Sequence, residues 1–156
     1  MLNELIQISK ELSTDEKISS LINSISQTEE DMRKRPLPDK TYLNELRNRR
    51  LAIENELGNE LEKRLSLDIN KEQLLDEIKN WKREPLNPTA FTIASNFLYE
   101  KLKKEPEFIL KMSYLSSNSP GGFFEVLGHS QRLYDLVGDG LSKLPKGTVF
   151  SEYFQC

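Results

Sequence analysis

Apolar residues recur at spacings of three, four and seven along much of this chain, which is the periodicity of an α-helix with one buried face. The clearest case is the segment 18–32. Ser13 followed by Glu16 has the pattern of a capping box, so we predict that this helix begins there. Pro36 and Pro38 end it, because proline lacks an amide donor and pushes the residue before it out of helical geometry.

A second, longer apolar stripe follows the two prolines. Asp39 is a favourable N-cap residue, and the stripe from Tyr42 to Leu65 predicts a helix of roughly 25 residues, or about 40 Å. Arg50 interrupts the stripe where a coiled coil prefers an apolar residue. We interpret Arg50 as an arginine whose stem is buried and whose head reaches water, with a role in register or partner choice as the alternative.

Two amphipathic helices joined by a short proline turn predict an antiparallel, coiled-coil-like helical hairpin. The alternative is that both helices simply lie on the rest of the chain. Shorter helices are predicted after the hairpin, because Asn70 begins another capping pattern and Pro88 and Pro106 suit first helical positions. A loop over residues 116–122 precedes one or two further helices. The glycines that mark the possible breaks in that last part are Gly128, Gly138 and Gly140.

Charged and aromatic residues are distributed unequally along the chain. Residues 1–84 hold 15 basic and 18 acidic residues but only two aromatic ones, whereas residues 85–156 hold seven of each charge and the other 11 aromatics. Aromatic side chains dominate core burial. The sequence therefore predicts an all-α protein, with a charged hairpin and connecting helix over 1–84 and a small aromatic-rich helical bundle over 85–156.

Composition narrows the classes of function. The formal net charge is −3, from 22 basic and 25 acidic residues, and a nucleic-acid or anionic-membrane binder usually has a basic excess. The one cysteine, Cys156, has no partner for an intramolecular disulfide, and no apolar run is long enough for a membrane span. We expect a cytoplasmic protein without a membrane segment. A fragment of a longer protein is a further interpretation, because the sequence stops abruptly at Cys156.

No catalytic, metal-binding or cofactor-binding set of residues stands out. His129 is the only histidine, and its neighbours Ser130 and Asp135 do not make a catalytic triad, because adjacent side chains on a helix point about 100° apart. We interpret His129 as a partly buried helix residue. The glycine-containing loop 119–122 is interpreted as a turn with helix capping, and anion binding by its backbone amides is the alternative.

The resulting hypothesis is a noncatalytic protein–protein interaction protein, such as an adaptor, an assembly subunit or a small inhibitor of the immunity-protein kind. We expect no cofactor, another protein as partner and a homo-oligomer formed through the N-terminal helices. The alternatives are a nucleic-acid-associated regulator with a basic hairpin tip and a small-ligand or anion-binding enzyme at residues 118–130. Tyr153 and Phe154 either dock in a groove of their own chain, which we favour, or contact the partner. The predicted contact residues are Arg47, Arg49, Arg50, Phe123, Phe124, Tyr153 and Phe154.

Overall fold

The computed structural model describes residues 1–142, and every regular element in that part of the chain is an α-helix. The predicted all-α class is therefore confirmed for these residues. The helices are α1 (Leu2–Leu12), α2 (Glu16–Arg33), α3 (Lys40–Arg64), α4 (Lys71–Lys79), α5 (Pro88–Leu102), α6 (Pro106–Ser117), α7 (Phe124–Leu127) and α8 (Gln131–Ser142).

Side-chain caps fix where several helices begin. The Asp39 carboxylate accepts a hydrogen bond from the Tyr42 amide at 2.8 Å, and the Asn70 side chain accepts one from the Gln73 amide at 2.9 Å. Both caps were predicted. The predicted cap at Ser13 is wrong, because Asp15 caps α2 and the Ser13 hydroxyl instead donates to the end of α1.

Prolines and glycines set the remaining boundaries. Pro88 and Pro106 are the first residues of α5 and α6, as predicted. Of the two breaks considered in the last part of the chain, the structure has the one at Gly128, where α7 ends. α8 continues through Gly138 and Gly140 without interruption. Two glycines are tolerated there because each costs a helix only about 0.5–1 kcal/mol relative to alanine.

α5 is the central helix. Every residue from 90 to 98 is buried, and α1, α3, α7 and α8 all pack against α5. A helix that is buried all round must be apolar or internally bonded on every face, and α5 meets that condition with Phe91, Ile93, Phe97 and Leu98, while Thr92 donates to the Pro88 carbonyl.

One hydrophobic core joins the two parts of the sequence. Buried apolar side chains from α1, α2, α3 and α4 belong to the same cluster as those from α5 to α8. The predicted boundary at residue 84 stays a prediction. Aromatic rings meet in pairs, Trp81 with Phe123 and Phe91 with His129, and no larger aromatic cluster forms within residues 1–142.

α2 packs more extensively on α3 than any other pair of helices does. Ion pairs join Lys17 to Glu60 at 2.8 Å and Glu29 to Arg50 at 3.0 Å, so the start of α2 lies beside the end of α3. Their shared apolar seam is formed by isoleucines of α2 and leucines of α3. None of the helices in the described residues is both long and apolar enough to cross a bilayer.

Candidate functional site

The connection between α2 and α3 exposes apolar side chains. Pro36 and Pro38 prevent α2 from continuing, and the Asp39 cap starts α3 at once. Leu37, Tyr42 and Leu43 are 58%, 43% and 37% exposed, whereas most large apolar side chains in the described residues are buried. We call residues 33–49 the α2–α3 tip, in which these three apolar side chains are exposed.

The α2–α3 tip is also basic. Residues 33–49 contain six basic and two acidic residues, a net charge of +4, on a chain whose net charge is −3. Arg33 pairs with Glu29 at 3.1 Å, and Lys34 lies 3.9 Å from Asp31. Arg35 is exposed and has no ion pair with any residue of the described part. The acids of α2 thus lower the positive potential at Arg33 and Lys34, whereas no acid of the described residues pairs with Arg35.

The three predicted contact arginines of α3 have different surroundings. Arg47 reaches across to α8, where its guanidinium lies 2.8 Å from the Asp135 carboxylate. Arg50 is nearly buried and pairs with Glu29 and Glu54, each at 3.0 Å. Arg49 is exposed and forms no ion pair within residues 1–142. Of the three, Arg49 has the charge that is most available to another molecule.

A buried carboxylate organises the junction of α3 and α8. Glu54 is 0% exposed. It accepts hydrogen bonds from the Ser130 hydroxyl at 3.2 Å and from the backbone amides of Gln131 and Arg132 at 3.0 and 3.1 Å. The Arg50 guanidinium donates a fourth bond at 3.0 Å. Glu54 therefore caps the N-terminus of α8 from a different helix, where a negative charge is favourable.

The same cluster continues into α5. The Arg132 guanidinium donates to Glu100 at 2.7 Å and to the Asn96 side-chain oxygen at 3.2 Å, and it lies 4.2 Å from the centre of the Tyr99 ring. Burial alone would raise the pKa of the Glu100 carboxyl. Hydrogen bonds from Lys103 and Arg132 outweigh that effect and hold its pKa below the usual value.

Gly58 leaves the room that this ion pair needs. A Cβ at position 58 would overlap the Glu100 carboxylate and lie 2.7 Å from the Arg132 guanidinium. A small residue on α3 thus lets α5 and α8 bring their charged groups together beneath it. We call Arg50, Glu54, Asn96, Glu100, Ser130 and Arg132 the buried polar cluster.

The buried polar cluster connects α3, α5 and α8, and we interpret it as structural. Both oxygens of Glu54 already accept two hydrogen bonds each, which leaves no acceptor free for a ligand. Sequence reasoning missed Glu54. A signal was present, because Arg50 and Glu54 are four residues apart on an otherwise apolar stripe and such spacing places two side chains side by side.

The predicted aromatic contacts are divided between core and surface. Phe123 is fully buried, with its ring edge-on to Trp81 at a centroid distance of 5.2 Å. Its neighbour Phe124 is 37% exposed and lines a groove between α6 and α8. Tyr153 and Phe154 lie outside the described residues. Of the two adjacent phenylalanines, Phe124 is therefore the one at the surface.

The loop before α7 makes its hydrogen bonds within the protein. The Ser119 hydroxyl donates to the Ile78 carbonyl at 2.9 Å and accepts from the Gly121 amide at 3.3 Å. A Cβ at Gly121 would overlap the Trp81 carbonyl, and Gly122 has a φ of 68°, which favours glycine. These contacts favour the interpretation as a turn that docks on the end of α4. Anion binding by this loop stays a prediction.

His129 lies in the turn between α7 and α8. It is partly buried, as expected, but its predicted position within a helix is wrong because α7 ends at Leu127. The imidazole is edge-on to Phe91 at 5.6 Å. Burial lowers its pKa, while the charges of Glu29 and Glu125 oppose that shift and Arg50 adds to it. A neutral imidazole is thus favoured in the folded protein.

Within residues 1–142, no three histidine, cysteine, aspartate or glutamate side chains are grouped so that they could hold a metal ion. Two surface features are candidate binding sites, the α2–α3 tip and the groove beside Phe124. Comparisons of this chain with protein-family models, curated proteins and solved structures found no match.

Proposed function

We propose that this protein is a noncatalytic protein–protein interaction protein whose α2–α3 tip binds an acidic surface of another protein. The observation that carries the proposal is the exposure of Leu37, Tyr42 and Leu43 on a segment with a net charge of +4. Exposed apolar side chains surrounded by charged ones are typical of interaction sites.

The arrangement within the tip supports this proposal. α2 and α3 form a helical hairpin in which the apolar seam is covered by the two helices and by the rest of the chain. Residues 40–45, the first six of α3, are exposed, so the end of the hairpin extends past its own core. Because Tyr42 and Leu43 lie on a helix, ordering their backbone on a partner costs little conformational entropy.

Charge indicates the chemistry of the partner. Arg35, Lys40 and Arg49 are exposed around the apolar residues, and a carboxylate-rich surface would complement them. Such complementarity raises association rates and selects partners more than it raises affinity. A nucleic acid would meet the same charges, but the exposed apolar side chains of the tip favour a protein partner.

The homo-oligomer predicted from the N-terminal helices remains part of the proposal in a weaker form. The isoleucines of α2 and the leucines of α3 that would form such an interface are buried within the chain. Self-association through the tip would also bring like charges together. We therefore expect the stronger contact to involve a different, acidic chain.

The test compares two tip variants with one control. The apolar variant carries Leu37→Ser, Tyr42→Ser and Leu43→Ser, and the control carries Leu86→Ser, which changes an apolar residue that is 66% exposed outside the tip. Tagged proteins are purified from the source cells, bound proteins are identified by mass spectrometry, and the best candidate is produced pure for calorimetry.

The second variant carries Arg35→Glu, Lys40→Glu and Arg49→Glu. We expect one acidic protein to bind the wild-type chain and the Leu86→Ser control equally, and both tip variants to lose at least about tenfold in affinity. Affinity should also fall as salt is raised. A partner that binds both tip variants as well as it binds the wild-type chain would contradict the proposal, as would binding that is abolished by nuclease.

A further inference from the structure

The groove between α6 and α8 has an almost wholly apolar lining. It has a volume of about 290 Å³ and is lined by Leu110, Ser113, Tyr114, Phe124 and Val137 among others. Phe124 forms part of its rim. Exposed apolar concavities of this kind are usually covered by another group.

One polar atom in the groove has no hydrogen-bond partner. Ser113 is buried, and its hydroxyl forms no hydrogen bond. The next buried serine of the same helix, Ser116, donates to the Met112 carbonyl at 2.7 Å. An unpaired buried hydroxyl is unfavourable, so the Ser113 side chain would be stabilised by a polar group that entered the groove.

The end of α8 lies at this groove. Val137 lines it, and Gly140 is so close to Leu110 that an added Cβ would lie 3.0 Å from the Leu110 side chain. α8 ends at Ser142, two residues later. The chain that follows α8 therefore starts beside the apolar lining.

We propose that the segment 143–156 of this same chain is the occupant of the groove, held by Phe150, Tyr153 and Phe154. These 14 residues contain three aromatics and can extend about 3.3 Å per residue, so the aromatic side chains can reach the whole groove. The segment also contains hydroxyl groups and backbone amides that can pair with Ser113. Because the segment is covalently attached, its effective concentration at the groove is in the millimolar range, and weak contacts suffice.

The size of the groove argues against a second copy as occupant. A stable interface buries about 800 Å² on each partner, whereas this groove accommodates a few side chains. This proposal is independent of the α2–α3 tip, which lies on other helices.

The one cysteine of the chain allows a direct test. Cys156 lies two residues after Phe154, and there is no other thiol to label. A nitroxide attached to Cys156 of the full, ¹⁵N-labelled chain broadens the amide signals of nearby residues. We expect the strongest broadening at Leu110, Tyr114 and Val137, with loss of that broadening after reduction of the nitroxide.

Two variants of the segment test whether its aromatic side chains hold it at the groove. Tyr153→Ser together with Phe154→Ser should reduce the broadening at the groove to background, whereas Gln155→Ala, a neighbouring polar change, should leave it intact. Circular dichroism of each variant checks that the helix content is retained, so that a loss of broadening reports on the segment and not on unfolding.

A mixing experiment separates the segment's own chain from a second copy. ¹⁵N-labelled chain carrying Cys156→Ser is mixed with unlabelled, nitroxide-bearing chain, and we expect no broadening in the ¹⁵N-labelled molecules. Broadening in the mixture would overturn the proposal, because the segment would then occupy the groove of another molecule. Uniformly weak broadening without preference for the groove, or broadening that the Tyr153→Ser and Phe154→Ser changes do not affect, would overturn it as well.

Discussion

Replacing Glu54 by glutamine tests whether the buried polar cluster holds α8 on α3. One oxygen of Glu54 accepts bonds from the Ser130 hydroxyl and the Arg132 amide, and the other accepts from the Gln131 amide and from Arg50. Glutamine keeps the size of the side chain but converts one oxygen into an NH₂ group. Whichever way the amide points, its NH₂ group faces a backbone amide that can only donate, so at least one buried bond is lost.

The magnitude follows from burial. A buried donor that loses its acceptor costs about 1–3 kcal/mol, and removal of one member of a buried ion pair costs about 3–5 kcal/mol. Arg50 keeps its pair with Glu29, and Arg132 keeps its pair with Glu100. We therefore expect Glu54→Gln to lower the free energy of unfolding by about 3 kcal/mol, which is a large fraction of the typical 5–15 kcal/mol.

Urea denaturation followed by far-ultraviolet circular dichroism measures the change, and the same helix supplies a matched control. Glu62 lies two turns after Glu54 and forms one exposed ion pair, with Lys101 at 3.3 Å. Glu62→Gln should cost less than about 1 kcal/mol, because exposed pairs contribute little. The reasoning is refuted if the two variants have the same unfolding free energy, or if Glu54→Gln costs less than about 1 kcal/mol instead of the roughly 3 kcal/mol expected.

Three further predictions concern other parts of the fold. Gly58→Ala should destabilise the protein by about 1–3 kcal/mol, because the new Cβ would meet a buried ion pair. Gly138→Ala should stabilise it by up to about 1 kcal/mol, because there is open space at that position. The urea midpoints of the two variants, compared with the wild type, measure both changes. Burial lowers the pKa of His129, so the unfolded chain binds this proton more readily and stability should fall as pH drops below about 6.5. His129→Gln should flatten that part of the stability–pH profile, and an unchanged slope would contradict this assignment. Ser119→Ala should cost about 1 kcal/mol through loss of the bond to the Ile78 carbonyl, and thermal unfolding against the wild type measures it.

Local signals in the sequence were sufficient to predict several helix boundaries. Asp39 and Asn70 cap their helices, and Pro88 and Pro106 begin theirs, because each effect depends on atoms within one turn. The prediction that Ser13 caps α2 was wrong because Asp15, two residues later, is also a strong N-cap residue, and the sequence pattern does not distinguish between two nearby caps.

The candidate site depended on contacts that no local pattern contains. The basic, apolar character of the α2–α3 tip was visible in the prolines and arginines, but the pairing of Arg47 with Asp135 joins residues far apart in sequence. Phe123 and Phe124 are adjacent and similar in composition, yet one is buried against Trp81 and the other is at the surface. Their different burial results from tertiary packing, which the local sequence does not encode.

The remote cap of α8 has a consequence for the order in which this protein is assembled. The bonds from Glu54 to the start of α8 join residues 76 to 78 positions apart in sequence. Until α3 is in place, the Gln131 and Arg132 amides lack the Glu54 acceptor, so α8 is fully stabilised only when the distant helix has docked. In native-state hydrogen exchange, the Gln131 and Arg132 amides should therefore open together with the middle of α3 rather than with the fraying end of α8. A newly synthesised chain would complete this contact only after residue 132 has left the ribosome.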